Sequence, residues 1–460
     1  MNTQRKTLSL RRCMLERFAM KELLAWKSAR RRKPLIVRGA RQVGKTWLVK
    51  EFGRTQYKRC VYVNFDMSAK QESGEELKAV FEGSLDPYRI VRALENLYNV
   101  TIVPEETLLI FDEAQDQPRA LSSLKYFNEL APEYHVVVAG SHMGMMLHDG
   151  ASIPVGNVSF LYLYPMTFME FAVALGYEKL VGTLGNRDWT TIELTHGKLV
   201  ELLRQYLCVG GMPEVVDDYR QQDNWEAVRV LQQDILKSYR ADFSKHAPIE
   251  QLARVWQVWD SIPAHLSREN KRLVWGAVRP GARAKEFELA LQWLFDYGVA
   301  YQVSRISKPS LPLRAYVEES IFKLFMVDVG LLGARAGLEI SAILQPARVF
   351  TEFKGALTEQ YVCQQLIAHG IGGYDGNNPC YWAGKAAEID FVVQVRDDVV
   401  PLEVKAAENL QSKSLKSYRE RFSPRVAVRT SLSKYREDPA LVNIPLYAIG
   451  QIMDIVAGIK

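Results

Sequence analysis

The sequence predicts an α/β protein whose first part is a parallel sheet covered by helices on both faces. Three observations carry this prediction. Five short, near-continuous apolar runs, at 34–39, 60–65, 107–113, 135–141 and 158–164, alternate with helical segments. Strands buried on both faces lose the in–out alternation and read as such runs. Between the first run and the helix-like TWLVKEFG stands GARQVGKT, residues 39–46, which fits G-x-x-x-x-G-K-T/S. The third run, LLIFDE, ends in two adjacent acids, Asp112 and Glu113.

Residues 1–30 read as an amphipathic helix, closed by the basic run KSARRRK at 27–33. Such a run is either a solvated helix end or a contact for a polyanion. The glycine-rich stretch that follows the first strand has the chemistry of a phosphate cradle. Gly39 and Gly44 let the backbone turn so that the N–H groups of Ala40, Arg41, Gln42 and Val43 point inward at phosphate oxygens. The next helix, opening near Trp47, adds its positive N-terminal end. Lys45 reaches the β- and γ-phosphates of ATP, and the Thr46 hydroxyl serves Mg²⁺.

The remaining strands extend this site. Asp112 is expected to hold Mg²⁺ through water, and Glu113 to polarise the attacking water. The run VVVAGS is then the additional strand between the phosphate-loop strand and the acidic one, with Ser141 at its tip sensing the γ-phosphate. By itself Ser141 equally suits a helix N-cap. His142 is a weaker candidate for the same role. Arg38, Arg41 and Arg119 flank the site, and an arginine finger from another subunit would make the protein a homo-oligomer.

After YPMTFMEF the pattern turns helical and stays so to about residue 260, the expected helical lid. Within it, VGGMPE (209–214) is either a plain helix stop or a loop whose Pro213 packs on adenine. Residues 251–318 read as helices followed by a two-stranded wing. Arg268, Lys271, Arg272, Arg279, Arg283, Lys285, Arg305, Lys308 and Arg314 lie in or around this unit. A basic winged helix sits on DNA, but Glu286 and Glu288 share the expected recognition helix and oppose phosphate. Internal packing is the alternative. The expected divisions are 1–170 for the ATPase domain, 171–250 for the lid, 251–318 for the winged-helix-like unit and 319–460 for the C-terminal domain.

Near the C-terminus, EIDFVVQVRDDVVPLEVKA (388–406) reads as a hairpin. A turn at Asp397 and Asp398 pairs Val392 with Glu403 and Asp390 with Lys405. Paired residues share a face, as do residues two apart, so Asp390, Glu403 and Lys405 converge within reach of one metal ion. This is the D…E-x-K pattern of the PD-(D/E)XK nucleases. In it two carboxylates hold Mg²⁺ at the scissile phosphate and the lysine activates water or steadies developing charge. Glu359, on a helix with Ala356, Leu357, Val362 and Leu366 as its apolar face, supplies a further acid. The alternative is a binding or structural domain that keeps these charges as ion pairs.

With these residues read, the chain resembles the bacterial and archaeal AAA-type ATPases that carry a C-terminal domain of unassigned function. The stretches that carry the resemblance are KPLIVRGARQVGKTWLVKEFG, IFDEAQDQPRALSSLKYFNE, VVVAGS, IPVGNVSFLYLYPMTFMEF, YLCVGGMPE, FKLFMVDVGLL, FKGALTEQYVCQQL, EIDFVVQ and PLEVKA. The resemblance implies an ATP-binding core, a helical lid, a winged-helix-like middle and a restriction-endonuclease-like C-terminal domain. One residue departs from the family pattern: PVGNV has Asn157 where an arginine is usual. If that arginine stabilises γ-phosphate charge, hydrolysis here is slow or uses another donor.

Bulk composition fits this picture. A net charge of +6, with 48% hydrophobic and 24% charged residues, excludes a disordered chain and suits a polyanion partner such as DNA or another nucleic acid. The five cysteines are scattered without a C-x-x-C pair, which argues against zinc and a disulfide framework. The N-terminus lacks a signal-peptide core and no run is long enough to span a membrane, so a cytoplasmic setting is expected. The expected function is an ATPase that couples nucleotide state to action on nucleic acid. The alternative is an ATP-dependent switch whose C-terminal part binds rather than cuts.

Overall fold

The computed structural model describes residues 15–66, 74–140, 153–344, 351–371, 378–385, 387–406 and 412–459. Two compact units emerge: Arg17–Tyr164, and Pro165–Phe295 with Val299–Lys460.

The first unit is a five-stranded parallel sheet. Its strands are β1 (Leu35–Arg38), β2 (Arg59–Asn64), β3 (Thr107–Asp112), β4 (His135–Ala139) and β5 (Ser159–Tyr162), in the order β2-β3-β4-β1-β5. All five expected runs form strands, and β1, β3 and β4 are buried along their whole length. β4 lies between β1 and β3, parallel to both, as the additional-strand reading requires. The core on one face gathers Phe65, Phe81, Phe111 and Phe127, whose rings meet edge to face. Such burial stabilises by roughly 1.5–3 kcal/mol per large side chain.

In the second unit the chain runs through successive helices from Phe168 to Leu266. The first is nucleated by a capping box, Thr167 with Glu170, that satisfies two otherwise orphaned N–H groups. Then comes an eight-stranded sheet made of β6 (Ala300–Ile306), β7 (Val317–Met326), β8 (Cys380–Ala383), β9 (Glu388–Val395), β10 (Asp398–Val404), β11 (Ala427–Ser431), β12 (Arg436–Asp438) and β13 (Leu441–Pro445). Their order is β12-β13-β11-β10-β9-β8-β6-β7.

This sheet alters the expected middle region. The β6–β7 pair does not stand apart as a wing: β6 also pairs in parallel with β8. A 318/319 division falls inside β7. The hairpin has apolar residues on both faces at β6, with five of its seven residues buried, so joining a larger sheet covers what a free wing would leave wet. The helix Ala284–Tyr297 turns part of its apolar sequence inward. Phe287, Leu291 and Leu294 are buried, but Leu289 is 68% exposed. Three of the unit's basic residues are already ion-paired, Lys271 with Glu359, Arg279 with Glu286 and Arg305 with Glu318.

The hairpin β9–β10 forms, but its turn is Arg396–Asp397 rather than Asp397–Asp398, and Asp398 pairs with Val395. Arg396 takes the left-handed conformation this tight turn needs. Moving a two-residue turn by one position shifts every partner by two, which preserves faces. The ladder, read on from Leu402 opposite Phe391, sets Glu403 rather than Lys405 opposite Asp390. Among the described residues, no helix is long and apolar enough to cross a membrane.

Candidate functional site

The phosphate loop leaves β1 at Arg38 and enters the helix Lys45–Gln56. Gly39 has φ +149°, and a Cβ there would lie 2.1 Å from the Leu163 carbonyl oxygen, so only glycine fits. Gly44, at φ +91°, makes the last turn before the helix. Ala40 and Val43 are buried, Arg41 and Gln42 half-buried, and Trp47 is exposed at the helix start. From outside the loop, Arg17 braces it by donating to the Val43 carbonyl at 2.7 Å and to the Tyr164 carbonyl at 2.6 Å.

Lys45 is buried at the centre. Its ammonium donates to the carbonyls of Gly39 and Ala40, each at 2.8 Å. Burial pulls its pKa down to about 8, against the opposing pull of Glu113 and Asp112. The ammonium is thus held inside the loop by two backbone carbonyls, bonds that a phosphate oxygen could replace.

Asp112, at the end of β3, is the hub of the site. One oxygen accepts from the Thr46 hydroxyl at 2.9 Å and from the Tyr62 hydroxyl at 2.7 Å. The other accepts from the Glu113 N–H at 3.1 Å. Glu113 has a left-handed backbone, φ +49°, a strained conformation of the kind found at functional sites. That turn lifts its half-buried carboxylate out of the strand, and the Gln115 side-chain amide donates to it at 2.6 Å. A hydroxyl and a carboxylate in contact directly behind a phosphate loop is the donor set that Mg²⁺ bound to ATP requires, so these residues fit it.

Tyr62 was invisible to motif reading. It lies on β2, and its neighbour in the ladder is Ile110, two residues before Asp112 and so on the same face. Lys50 sits over its ring at 3.5 Å. Ser141 and His142 lie outside the described residues.

Two of the three flanking arginines are engaged elsewhere. Arg38 is buried over the rings of Phe160 and Tyr162, and Arg119 donates to the Phe81 carbonyl and pairs with Glu82. Asn157 stands at the edge strand of the sheet. It precedes β5, whose Ser159 pairs with Leu35 at the start of β1, whereas the phosphate loop follows the end of β1. Four strand residues put about 13 Å between those ends. Asn157 accepts from Asn128 at 2.7 Å.

In the second unit, VGGMPE is a helix stop with a buried anchor. Gly210 has φ +75°, and a Cβ there would meet the Asp328 carboxylate at 2.2 Å. That carboxylate accepts from the Gly211 N–H at 2.7 Å. Pro213, half-buried, opens the helix Pro213–Gln222.

The C-terminal carboxylates fall into two groups. Glu403, 5% exposed, pairs with Lys405 at 2.6 Å and faces Arg429 across the parallel ladder to β11. Its second oxygen is buried without a hydrogen bond. Asp390 accepts from the Val404 N–H at 2.8 Å. Burial, with the Glu359 charge beside it, pushes Asp390 up to about 7.

Glu359 turns to different partners: Lys271 at 2.5 Å and Lys323 at 3.6 Å. Lys323, 1% exposed on β7, also meets Glu388 at 2.7 Å. Lys405 is therefore paired to Glu403, and not to Asp390 as the expected register would have had it. Among the described residues, no three His, Cys, Asp or Glu side chains are grouped as a metal would hold them. Lys271, Lys323, Glu388 and Arg429 were missed as members of this region. The only available signal was charge within apolar runs, such as Lys323 in IFKLFM.

Glu359 rides on the helix Thr351–Ala368. Ala356, Leu357, Val362 and Leu366 are buried as expected, and so are Gln360, Gln364 and Gln365. Their amides cap backbone groups of Met326, Val329 and Phe168, which is how a helix buried on most sides satisfies its polar residues.

Comparison with known proteins agrees with the first site. Residues 31–172 match a family model described as an AAA domain. Residues 200–341 match a domain of unknown function (DUF8612), and residues 354–449 another (DUF4143). No curated protein matches the chain. Among solved structures, the chain is similar to the Aeropyrum pernix ORC2 protein in ADPNP–ADP complexes, at 13% identity and TM-score 0.35, covering 71% of this chain and 89% of that one. It is also similar to Cdc6p from Pyrobaculum aerophilum, at 12% identity and TM-score 0.25, covering 68% and 87%. A signal-transduction ATPase with numerous domains from Pyrococcus horikoshii gives 12% identity and TM-score 0.24, covering 76% and 45%. Overlaps this partial carry no argument for this chain. The sheet order, the phosphate loop and the family match together make the N-terminal segment a P-loop AAA-type ATP-binding domain.

Proposed function

We propose that this protein is an ATP-dependent switch. ATP with Mg²⁺ is bound and hydrolysed in the N-terminal domain, and the nucleotide state sets what the second unit does. The observation that carries this reading is the Thr46–Asp112 contact beneath a loop whose lysine is held at its centre, with Glu113 as the adjoining base. In this reading Lys45 binds the β- and γ-phosphates and Ser141 senses the γ-phosphate. An arginine finger comes from a second copy of the chain.

ATP binding and turnover by the wild type, Lys45→Ala and Glu113→Gln test it. Glu113→Gln is expected to bind ATP normally while turnover falls about 10²-fold or more, the scale of a lost general base. Equal turnover in Glu113→Gln and wild type would overturn the assignment.

A second reading, Mg²⁺-dependent action on DNA or RNA, is favoured by one observation. Asp390 and Glu403 belong to opposed positions of one hairpin, with Lys405 beside them. Here Asp390 and Glu403 hold the metal, Lys405 assists, and Glu359 is the accessory acid. Cleavage of DNA and RNA substrates by the wild type and by Asp390→Ala decides it: equal cleavage, or none by either, removes the reading.

A further inference from the structure

Neither reading above uses the basic run 27–33. It holds five cations, Lys27, Arg30, Arg31, Arg32 and Lys33, a charge of +5 on a chain whose net charge is +6. The helix Ala19–Ser28 ends within the run, and β1 opens just after it.

Three of the five are fixed, each by backbone carbonyls. Lys27 donates to the Gln56 carbonyl and lies over the Tyr57 ring. Arg32 donates to the Lys27 carbonyl at 3.3 Å and to the Pro132 carbonyl at 2.8 Å. Lys33 donates to the Gly156 carbonyl at 2.6 Å. Arg30 and Arg31 are exposed and, among the described residues, have no hydrogen bond or ion pair.

A carbonyl holds a cation in place without cancelling its charge, whereas a carboxylate does both. Other surface cations of this unit meet acids: Arg54 with Glu51, Lys58 with Glu106 and Arg119 with Glu82. Among the described residues none of the five in the run does so. Glu105, whose charge reaches Arg32, forms no ion pair with it. The positive charge is therefore both positioned and uncompensated.

The run is also concave. Residues 29–33, with Asn128 and Pro132, line a cavity of about 390 Å³, an ordinary size for a ligand site. It lies where β1, β4 and β5 begin, and the phosphate loop follows the opposite end of β1, so ATP bound there leaves the cavity free.

The residue types point to the occupant. A guanidinium fork matches a phosphate with two parallel hydrogen bonds. A nucleic-acid strand carries one phosphate at every unit, which suits cations at consecutive positions. The side chains of an extended acidic peptide alternate between two faces, so only every second one would meet the run. A lipid surface is broad and flat, while these guanidiniums line a cavity.

We propose that the run 27–33 is a nucleic-acid binding site of the first unit, in which Arg30, Arg31 and Arg32 hold the phosphates of a strand at the cavity without reading its bases. The site uses no residue of the hairpin that carries Asp390 and Glu403, so it stands whether or not the chain cleaves nucleic acid.

The experiment is fluorescence anisotropy of labelled oligothymidine with the full chain, in EDTA and without nucleotide, across a series of salt concentrations. Labelled polyglutamate and phosphatidylglycerol vesicles form parallel arms. Arg30→Gln combined with Arg31→Gln is expected to weaken oligothymidine binding about tenfold and to lower the slope of log Kd against log salt by about 1.4, the share of two phosphate contacts on a single strand. Arg30→Lys combined with Arg31→Lys keeps the slope, because the charge is kept. Arg283→Gln combined with Lys285→Gln, an exposed pair in the second unit, keeps affinity and slope. An unchanged melting temperature shows that the variants fold. A wild type that does not bind oligothymidine overturns the proposal, and so does a double glutamine variant with unchanged affinity and slope. A loss confined to polyglutamate or to the vesicles overturns it too, and assigns the run to an acidic protein or a lipid surface.

Discussion

In the phosphate loop, eight consecutive residues, 39–46, supply the turn, the ammonium and a hydroxyl, and Asp112, Tyr62 and Arg17 complete it from elsewhere. In the Glu359 centre, five charged side chains come from four segments: an irregular stretch, β7, a helix and β9. The first site meets its charges with backbone carbonyls and hydroxyls, which a ligand can displace. The second meets carboxylates with ammonium groups, and its central pair, Lys323 and Glu359, is almost fully buried. Local geometry therefore prepares one site for a ligand, while the other already pairs its charges from within.

The largest test of this contrast is Lys323→Met, which keeps the volume and removes the charge. Breaking a buried pair leaves carboxylates uncompensated, and a loss of about 3–5 kcal/mol is expected in denaturant unfolding. The exposed pair Lys434–Glu193 is the control, with side chains 50% and 58% exposed. Removing it should change stability by less than about 1 kcal/mol. Equal losses for the two would break the comparison.

Next comes Lys45→Ala. It is expected to weaken ATP binding about 10²-fold, close to 3 kcal/mol, in a fluorescent-nucleotide titration, with little change in the melting temperature. The site's work is on the ligand, not on the fold.

The pH response should differ in sign between the regions. Asp390 has a folded pKa of about 7 against an ordinary 3.8, so between those values the folded state holds more protons than the unfolded one. Its contribution to stability therefore falls as pH rises through that window. Asp390→Asn should stabilise by roughly 1–2 kcal/mol more at pH 8 than at pH 5. In the first unit, burial pulls His135 down to about 4 from 6.5, with Arg32 and Lys27 acting the same way. There the unfolded state holds more protons, so stability falls as pH drops from 6.5 towards 4. His135→Gln should flatten that acid limb in a melting series.

The smallest expected effect is that of Tyr62→Phe. Asp112 would lose one of its hydrogen bonds, and a change of about 1 kcal/mol in Mg²⁺-ATP affinity is expected, read as a few-fold shift in Mg²⁺ titrations. An unchanged Mg²⁺ dependence would assign Tyr62 to packing alone.

Much of the first site was legible because its chemistry is local. Gly39, Gly44, Lys45 and Thr46 stand at spacings that a strand–loop–helix turn dictates, and Asp112 and Glu113 end an apolar run whose burial is equally local. The place of β4 between β1 and β3 followed from the catalytic-acid pattern. Tyr62 and Arg17 were not legible, because they reach the site through ladder pairing and chain return rather than through spacing.

The C-terminal hairpin shows both sides of this. Alternation in EIDFVV and PLEVKA fixed which residues of the paired strands share a face, since strand periodicity of two survives a shift of the turn. It did not determine the turn itself, where Arg396 had to adopt a positive φ that no local pattern announced. Nor did it determine which cation each acid meets. Glu359 and Lys271 lie 88 residues apart, and their contact exists because β7, the Thr351–Ala368 helix and β9 pack around one buried point. Local spacing thus determined the phosphate loop and the strands that carry it. The partners of every buried carboxylate in the second unit were decided by the tertiary structure, because a charge taken out of water must be met by whatever cation the packed chain brings within a few ångströms.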